Sequence, residues 1–343
     1  MKFESATIKD IAKALSLSPS TVSRALRDSY EISPETKKLV TEYAKSINYR
    51  PNPVALSLRQ KTTRSIGILV AEIANTFFSH VINGIELAAN ERGYNVIIAQ
   101  THEDYEREVS NMNFLASRSI DGCLVSVSAE TKDYSHFTTL SEKGFPIVCF
   151  DRVVNEINSH TVTIDNFKGG YDATTHLINN GFKRIAILSN SSFLSITTNR
   201  LAGYKKAMED HGLPIDESWI KYCLHGGLVY QEIEDAMNEL LKSKHKPDAI
   251  FTAGDKLTTT CMRYCQTHQI KIPKELAIIG FSNLDLPDLL SPPLSVVKQP
   301  AFEMGKIAAE LLIKTIESKR AITEFEKITL LPELFIRKSS LHV

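Results

Sequence analysis

The chain has 343 residues, of which 43% are hydrophobic, with 40 Lys or Arg against 40 Asp or Glu. These values are ordinary for a globular protein and leave room for two or three domains. No apolar run approaches the roughly 18 residues that a membrane span needs, and the N-terminus has no signal-peptide core, so a membrane partner is not expected. Five scattered cysteines argue against a disulfide framework and favour the cytoplasm.

The neutral total hides an uneven distribution of charge. Residues 1–62 carry eleven Lys or Arg and six Asp or Glu, a net charge of +5. Residues 63–343 carry 29 and 34, a net charge of −5. Because affinity for phosphate is electrostatic, a polyanion is expected to bind to the basic N-terminal part.

Residues 7–26 predict two short helices joined by a tight turn. Thr7 and Asp10 form a capping pair for the first helix, and Ser18 followed by Pro19 begins the second. The apolar residues that such a pair must bury are Ile11, Ala12, Leu15, Leu17, Val22, Ala25 and Leu26. This is the spacing of a helix-turn-helix motif, in which the second helix enters the major groove of DNA.

The exposed face of the second helix carries the candidate DNA contacts. Hydroxyl groups suit phosphates and base edges, and Arg24 suits a bidentate contact with guanine. The candidates on this helix are Pro19, Ser20, Thr21, Ser23 and Arg24, and Thr7 at the start of the first helix is a further one. A third helix, from Pro34 to about Ile47 with Asn48 as its C-terminal cap, completes a domain of residues 1–50. A small helical bundle with ordinary polar surface residues is the alternative.

Residues 51–62 predict a linker that contains a short hinge helix. Pro53 opens the helix, which runs from Val54 to about Arg59 and is too short to be stable alone. Contacts with DNA and with a partner copy would allow it to fold. Leu58 near its end would then wedge between base pairs in the minor groove. A plain tether is the alternative.

After the linker, apolar runs alternate with helical stretches. The runs lie at 65–71, 95–100, 122–127, 146–150, 184–189, 248–252 and 276–281. Helices are expected at about 77–91 and near 105–118. Continuous Val, Ile and Leu runs that alternate with helices indicate parallel sheets covered on both faces, and the length favours two doubly wound lobes. In such sheets ligands bind beyond the carboxyl ends of the strands.

The chain resembles the LacI/GalR family of bacterial transcriptional repressors over essentially its whole length. Matching segments include Val-Cys-Phe-Asp-Arg at 148–152 and Ile-Gly-Phe-Ser-Asn at 279–283. Others lie at 7–26, 48–58, 75–78, 165–166, 181–186, 200–204, 254–255, 292–295 and 299–300. The resemblance implies a DNA-binding head, a hinge helix, and an α/β core of two lobes that is similar to periplasmic sugar-binding proteins. It places lobe 1 at about 63–161 and 293–325, and lobe 2 at about 162–292 and 326–343.

The resemblance also implies roles for individual residues. Pro19, Ser20 and Arg24 match base-reading positions, and Leu58 matches a leucine that enters the minor groove. Asn52 and Ala55 are further candidates for contacts with DNA in the same segment. The positions that match the effector cleft are Phe77, Asp151, Arg200, Leu228 and Asp255.

These cleft residues suit a carbohydrate. Arg200 and the two carboxylates would hydrogen-bond sugar hydroxyls while Phe77 stacks on a sugar face. Two alternatives remain open: an internal ion pair of Asp151 with Arg152, and a role of Asp255 as a helix cap.

The sequence also departs from the family pattern, for example at Ser16 and Leu194. Ser16 replaces a common turn glycine, which predicts a strained or shifted left-handed position. Leu194 stands where purine-binding relatives carry Arg, which argues against a purine.

The sequence therefore predicts a repressor that binds a pseudo-palindromic operator as a homodimer, with half-sites roughly 10 bp apart, under the control of a small sugar-like effector. Catalytic residues, metal ligands and a cofactor are not expected, because phosphate-loop, nucleophile-elbow and metal-spaced His motifs are absent from the sequence. A transport solute-binding protein and an α/β enzyme are the rival classes. The helix-turn-helix motif argues against the first of them.

Overall fold

The computed structural model describes residues 6–49, 62–320 and 322–342. The chain divides into two compact units, Met1–Arg64 and Ser65–Val343, which we call the head and the core. The expected hinge helix, with Asn52, Ala55 and Leu58, lies outside the described residues, so these three candidates stay predictions.

The described helices and strands follow the expected alternation. The helices are α1 Ile8–Ala14, α2 Pro19–Ala25, α3 Pro34–Ser46, α4 Thr76–Glu91, α5 Tyr105–Ser117, α6 Ser135–Glu142, α7 Asn166–Asn179, α8 Ser195–Asp210, α9 Tyr230–Lys242, α10 Asp255–Thr267 and α11 Ala301–Glu317. The strands are β1 Ser65–Val70, β2 Asn95–Gln100, β3 Gly122–Val125, β4 Ile147–Phe150, β5 His160–Ile164, β6 Ile185–Ser189, β7 Ile220–Tyr222, β8 Ala249–Thr252, β9 Ala277–Phe281, β10 Ser295–Lys298, β11 Lys327–Leu330 and β12 Glu333–Phe335. Short 3₁₀ helices lie at Glu217–Trp219, Pro287–Leu289 and Lys338–Ser340. Within the described part of the chain, every helix is too short or too polar to cross a membrane.

The head is a three-helix unit whose helices begin where the sequence predicts. Thr7 and Asp10 form a reciprocal capping box on α1, and the Ser18 hydroxyl accepts a 3.0 Å hydrogen bond from the Thr21 N–H at the start of α2. The small core that joins the three helices is formed by Ile11, Ala12, Val22, Ala25, Val40 and Ala44. Of the apolar residues in 7–26 that were expected to be buried, Ile11, Ala12, Val22 and Ala25 are buried, and Leu15, Leu17 and Leu26 are partly buried against them.

Left-handed residues shape the turns of the head, among them Ser16, Asp28 and Asn48. Ser16, between α1 and α2, has a φ of 54°, and the next N–H, of Leu17, donates to the carbonyl of Ala12 at 2.9 Å. The left-handed position is therefore kept rather than shifted, at a cost that glycine would not incur. Asn48 has the same φ of 54° and follows the C-cap of α3, as the sequence predicts.

The core consists of two lobes, each built on a six-stranded sheet. The sheet of lobe 1 has the order β11-β5-β4-β3-β1-β2 and is parallel throughout. The sheet of lobe 2 has the order β12-β10-β9-β8-β6-β7, with parallel pairs except for the antiparallel edge strand β12. The two sheets thus share one topology, and the prediction of two doubly wound lobes holds apart from this one edge strand.

The boundaries of the lobes differ from those expected. The predicted crossings at 161/162, 292/293 and 325/326 each come a few residues too early. His160–Ile164 pairs with β4 in lobe 1, Ser295–Lys298 pairs with β9 in lobe 2, and Lys327–Leu330 pairs with β5 in lobe 1. Because a paired strand cannot leave its sheet part-way, the chain crosses only after each strand ends, near Asp165, at 299–300 and at 331–332.

Each lobe contains a pair of helices that cross at glycines. In lobe 1, a Cβ on Gly84 of α4 would lie 2.0 Å from the carbonyl oxygen of Phe302, and one on Gly305 of α11 equally close to that of Val81. In lobe 2, Gly170 of α7 meets the carbonyl oxygen of Arg200 in the same way, at 2.3 Å. Even a methyl group would therefore push these helices apart.

Candidate DNA-binding surface and effector cleft

The first turn of α2 presents a cluster of hydroxyl groups. Pro19 and Ser20 are exposed and Thr21 is half-buried. The Ser18 oxygen lies 2.7 Å from the Ser20 hydroxyl and 2.8 Å from that of Thr21. A helix N-terminus carrying hydroxyls and free N–H groups is suited to phosphate and base edges.

Arg24 projects from the same helix and is held by an acid. Its side chain is 53% exposed, and Nη1 lies 2.8 Å from a carboxylate oxygen of Glu31, in the segment between α2 and α3. Ser23 is less available, because Arg27 donates to its carbonyl oxygen and to its hydroxyl, at 2.7 and 3.0 Å. Thr7 is exposed but occupied by the capping box. Of the predicted contacts, Pro19, Ser20 and Arg24 therefore lie most open.

A cleft opens between the lobes, beyond the carboxyl ends of β1, β4, β6 and β8. It contains about 540 Å³ of space, part of it continuous with solvent. All five residues that the sequence proposed for an effector line this one cleft: Phe77, Asp151, Arg200, Leu228 and Asp255. The chain brings them from both lobes, since Phe77 and Asp151 belong to lobe 1 and the others to lobe 2.

Arg200, on α8, is the centre of the cleft and is only 3% exposed. Its guanidinium donates to Asn166 Oδ1 at 2.7 Å, to the carbonyl of Ala253 at 2.8 Å and to Gln299 Oε1 at 3.0 Å. It also lies 3.7 Å from the centroid of the Phe281 ring. Burial lowers the pKa of Arg200 to about 10, an effect that the nearby Asp151 partly offsets, so the group stays charged at neutral pH. Three of its five N–H donors are used, and two are left.

Asp151 follows β4 and is buried with its carboxylate unbonded. Its backbone has a φ of 57°, and its N–H donates to the carbonyl of Val162 at 3.0 Å. No described residue donates a hydrogen bond to the carboxylate; the nearest cation is Arg152 Nε, at 3.9 Å. Burial is the main cause of the raised pKa of Asp151. A buried carboxylate without donors is costly unless a ligand supplies them.

The two alternatives for the cleft acids fare differently. Arg152 makes its bidentate contact with Glu103, at 2.6 and 2.9 Å, so its pairing with Asp151 is secondary. Asp255 is the first residue of α10 and does not cap it. The N-cap position is held by Gly254, and the helix has no side-chain capping hydrogen bond. Instead one oxygen of Asp255 accepts from the Ser282 hydroxyl at 2.8 Å and from the Asn283 N–H at 2.9 Å, while burial raises its pKa.

The apolar side of the cleft comes from Phe77 and Leu228. Phe77, in the first turn of α4, is buried and packs edge-on against Phe78, with ring centroids 5.2 Å apart. Leu228 is half-buried and follows a turn at Gly226 and Gly227, both with positive φ. An aromatic ring beside unpaired polar groups is the usual composition of a small-molecule site.

Further cleft residues escaped the sequence analysis. Asn190 is buried, and its Oδ1 has no hydrogen-bond partner among the described residues; the same holds for Arg152 Nε. Gln299 and His225 also line the cleft. Asn190 directly follows β6 and Gln299 directly follows β10, so a search of the residue after each buried strand would have found both.

The two lobes are in contact beside the cleft. His80 Nε2, on α4, lies 3.0 Å from a carboxylate oxygen of Asp285 in lobe 2. Ala129 of lobe 1 forms a small buried cluster with Leu194 and Ile196 of lobe 2. Leu194 is therefore an apolar part of the contact between the lobes. This arrangement encloses the polar groups of the cleft and limits the access of water.

A helix-turn-helix head and a two-lobed core with a polar cleft together define a ligand-responsive DNA-binding protein. Residues 7–52 match the family model of bacterial regulatory proteins of the lacI family, and residues 174–340 match that of a periplasmic binding protein-like domain. The chain belongs to the lacI family of bacterial transcriptional regulators, whose members are not normally enzymes.

Full-length relatives and solved structures agree with this assignment. The HTH-type transcriptional repressor PurR of Photobacterium profundum is 32% identical over 335 residues, covering 97% of this chain and 98% of the relative. A transcriptional regulator CelR–cellobiose complex is 27% identical, with a TM-score of 0.72 and coverage of 97% and 99%. The lac repressor dimer bound to operator and the anti-inducer ONPF shares the fold, with a TM-score of 0.81 at 20% identity and coverage of 99% and 100%.

Proposed function

We propose that this regulator is a repressor whose effector is a small neutral sugar, bound in the interlobe cleft by Phe77, Asp151, Arg200, Leu228 and Asp255. The observation that carries the proposal is the set of unused hydrogen-bonding groups in the cleft. Arg200 keeps two free N–H donors, while the Asp151 carboxylate and Asn190 Oδ1 accept no hydrogen bond from any described residue. A sugar hydroxyl both donates and accepts, so a polyol matches donors and acceptors that stand side by side.

The charge of the cleft favours a neutral polyol over an anion. Acidic side chains that line it are Glu72, Glu103, Asp151 and Asp255, against Arg152, Arg200 and Lys256. Because Glu103 already pairs with Arg152, the remaining charged side chains are Glu72, Asp151 and Asp255 against Arg200 and Lys256, a net negative charge that disfavours a phosphate. Two structural relatives with bound sugars support this: the CelR–cellobiose complex, and a regulator from Alkaliphilus metalliredigens QYMF complexed with D-xylulofuranose, which is 26% identical.

On the DNA side, Pro19, Ser20 and Arg24 would read bases while Thr7, Thr21 and Ser23 support the helix and contact phosphate. We assign Asn52, Ala55 and Leu58 to the hinge contacts in the minor groove. The protein would act in the cytoplasm, where operator DNA is found. A dimer would bind a pseudo-palindromic site with its two heads about one helical turn apart.

Exposed apolar residues on lobe 1 support a homodimer. The edge strand β2 exposes Ile97 and Ile98, and α5 exposes Phe114. An unpaired apolar edge is an aggregation hazard unless a partner covers it. A second copy is the partner expected for a two-headed DNA-binding protein, and the lac repressor, which shares this fold, is a dimer on its operator.

Control by the effector would follow from the contact between the lobes. A ligand that bonds to Asp151 of lobe 1 and to Arg200 of lobe 2 stabilises the closed arrangement. Such a ligand shifts the protein between two arrangements only by its difference in affinity for them, typically about 1–3 kcal/mol.

The test begins with DNA. Purified protein is incubated with fragmented genomic DNA at about 150 mM salt, where non-specific binding is weak, and the retained fragments are sequenced. A shared pseudo-palindrome is expected. Retention without any shared motif, both with and without sugars, would contradict the assignment of base contacts.

The effector is then sought by thermal unfolding with a panel of neutral sugars, sugar phosphates and nucleobases. Neutral sugars are expected to raise the melting temperature, and the ones that do so are tested for release of the retained DNA. Stabilisation by phosphates or nucleobases alone would overturn the sugar assignment.

A further inference from the structure

A second cavity lies at the mouth of the cleft. It contains about 720 Å³, including space open to solvent, and its lining comes from both lobes. The lining residues are Ala129, Glu130, Lys132, Ser191, Phe193, Leu224 and His225. His225 lines this cavity and the main cleft alike, and Ser191 directly follows the cleft residue Asn190. The two spaces are therefore neighbours, the second one nearer to solvent.

Phe193 is the notable residue of this mouth cavity. It is 63% exposed, although the next residue, Leu194, is buried in the contact between the lobes. Lys132 Nζ of lobe 1 lies 4.5 Å from the centroid of its ring. An exposed aromatic ring at the opening of a polar cleft offers a flat surface on which a sugar ring can stack.

Polar groups accompany this ring. The N–H of His225 donates to a carboxylate oxygen of Glu232 at 3.0 Å, and its Nδ1 lies 2.8 Å from the other oxygen, which fixes the imidazole. No described residue bonds to His225 Nε2. Glu130 and Lys132 are exposed, and Ser191 lines the inner wall. An aromatic surface beside a fixed imidazole and exposed charged groups has the composition of a carbohydrate subsite rather than of an apolar docking groove.

We propose that the mouth cavity binds the second, solvent-facing ring of the effector, which is therefore a disaccharide or a longer saccharide. This inference rests on the proposed binding of a sugar in the main cleft. The first ring lies between Phe77 and Arg200, and the second stacks on Phe193 within reach of His225 and Glu130.

The rival explanation is that Phe193 and Lys132 only hold the lobes together. A contact of that kind stabilises the closed lobes for every ligand equally, whereas a subsite acts only on ligands with a second ring. The ratio of monosaccharide to disaccharide affinity separates the two explanations.

The experiment uses the full chain and isothermal titration calorimetry with matched sugars: glucose with cellobiose and maltose, and galactose with lactose. One disaccharide is expected to bind at least about tenfold more tightly than its monosaccharide. Phe193→Ala is expected to remove that advantage and to leave the monosaccharide affinity within about twofold, while Phe193→Tyr, which keeps the ring, retains it. Phe302→Ala is the matched control, because Phe302 is 45% exposed on α11 and lines neither cavity.

Each remaining outcome counts against the inference. Equal losses for mono- and disaccharides in Phe193→Ala would assign the residue to lobe contact alone. If monosaccharides bind as tightly as every disaccharide, a subsite for a second ring is contradicted. Binding of no sugar at all would contradict the proposed function itself, and the inference with it.

Discussion

The head and the core bond their polar groups in opposite ways. In the head, most hydrogen bonds of polar side chains join residues two to four apart, as in Thr7 with Asp10, and both partners are exposed. In the core, Arg200 bonds to Asn166, Ala253 and Gln299, which lie 34, 53 and 99 residues away, and it is buried. A reading surface has to meet DNA in water, whereas a ligand cleft has to hold charges ready out of water.

This contrast has an energetic side. Exposed, locally bonded groups cost the head little and contribute little, since surface pairs are typically worth about 0–1 kcal/mol. The cleft keeps two buried acids whose pKa values are raised by burial. The core therefore gives up stability for ligand binding, and the head does not. Substitutions in the two regions are expected to differ in the same way.

The largest effect is expected from Arg200→Ala. Loss of the guanidinium leaves Asn166 Oδ1 and Gln299 Oε1 buried without their donor and removes one of the cations near the Asp151 carboxylate, at a cost of about 3–5 kcal/mol. Sugar stabilisation should disappear, while retention of operator DNA by the folded fraction persists. Thermal unfolding with and without sugar checks this, with Arg263→Ala on the surface of α10 as control. A normal sugar response in this variant would contradict the role of Arg200 in sugar binding.

Arg24→Ala tests the head. A bidentate contact with guanine discriminates against the wrong base by about 1–3 kcal/mol. The difference in binding free energy between operator and random DNA should therefore shrink by that amount, while the free energy of unfolding changes little. Competition binding at fixed salt measures the ratio. Arg27→Ala serves as control, because Arg27 lies beyond the end of α2 and is bonded to Ser23. An equal loss on both DNAs would show a phosphate contact instead.

Asp151→Asn should stabilise the core while weakening sugar binding. A raised pKa means that the folded protein holds a proton that the unfolded chain has released. Stability therefore falls as pH rises from the ordinary value of 3.8 through the raised pKa, and the loss is complete above it. Asn removes this loss, so at neutral pH the variant should gain on the order of 1 kcal/mol. Unfolding at several pH values checks the gain, which should vanish below that window; an equal gain at every pH would contradict the burial argument.

The smallest effect is expected from Glu31→Gln. The carboxylate lies 2.8 Å from Arg24 and repels nearby phosphates, so its neutralisation should tighten binding to random DNA about two- to threefold. Discrimination should fall, because Arg24 is then free to bind phosphates. Salt titrations of operator and random DNA show both changes. Glu42→Gln, on α3 and remote from Arg24 in sequence, is the control, and identical curves for wild type and Glu31→Gln would contradict the repulsion.

The sequence predicts the head more completely than the core. Caps such as Ser18 and Asn48 act over a few residues, so the bounds of α1 to α3 follow from local chemistry. Buried strands of the core also stand out as apolar runs. The short strands β5, β10 and β11 do not, because the sheet that each one joins is decided by a partner far along the chain. The lobe boundaries were misplaced for that reason.

The cleft was predictable only in part. The family resemblance indicated five residues that line one cleft in the structure, but it did not indicate Asn190 or the pairing of Arg152 with Glu103. Both depend on which strand ends meet between the lobes, and a single sequence does not contain that information. Open polar groups such as Asn190 Oδ1 become visible only when their surroundings are known.

The close helix packing at the glycine crossings makes each lobe of the core rigid, whereas the chain segments that link the two lobes are less constrained. With Gly84 and Gly305 in one lobe and Gly170 in the other, neither helix pair has slack to absorb strain. A ligand that closes the cleft would therefore rotate each lobe as a unit, about the segments where the chain passes between the lobes near Asp165, at 299–300 and at 331–332. Substitutions in these segments would change how strongly effector binding alters DNA affinity, and would leave the effector cleft and the DNA-binding surface intact.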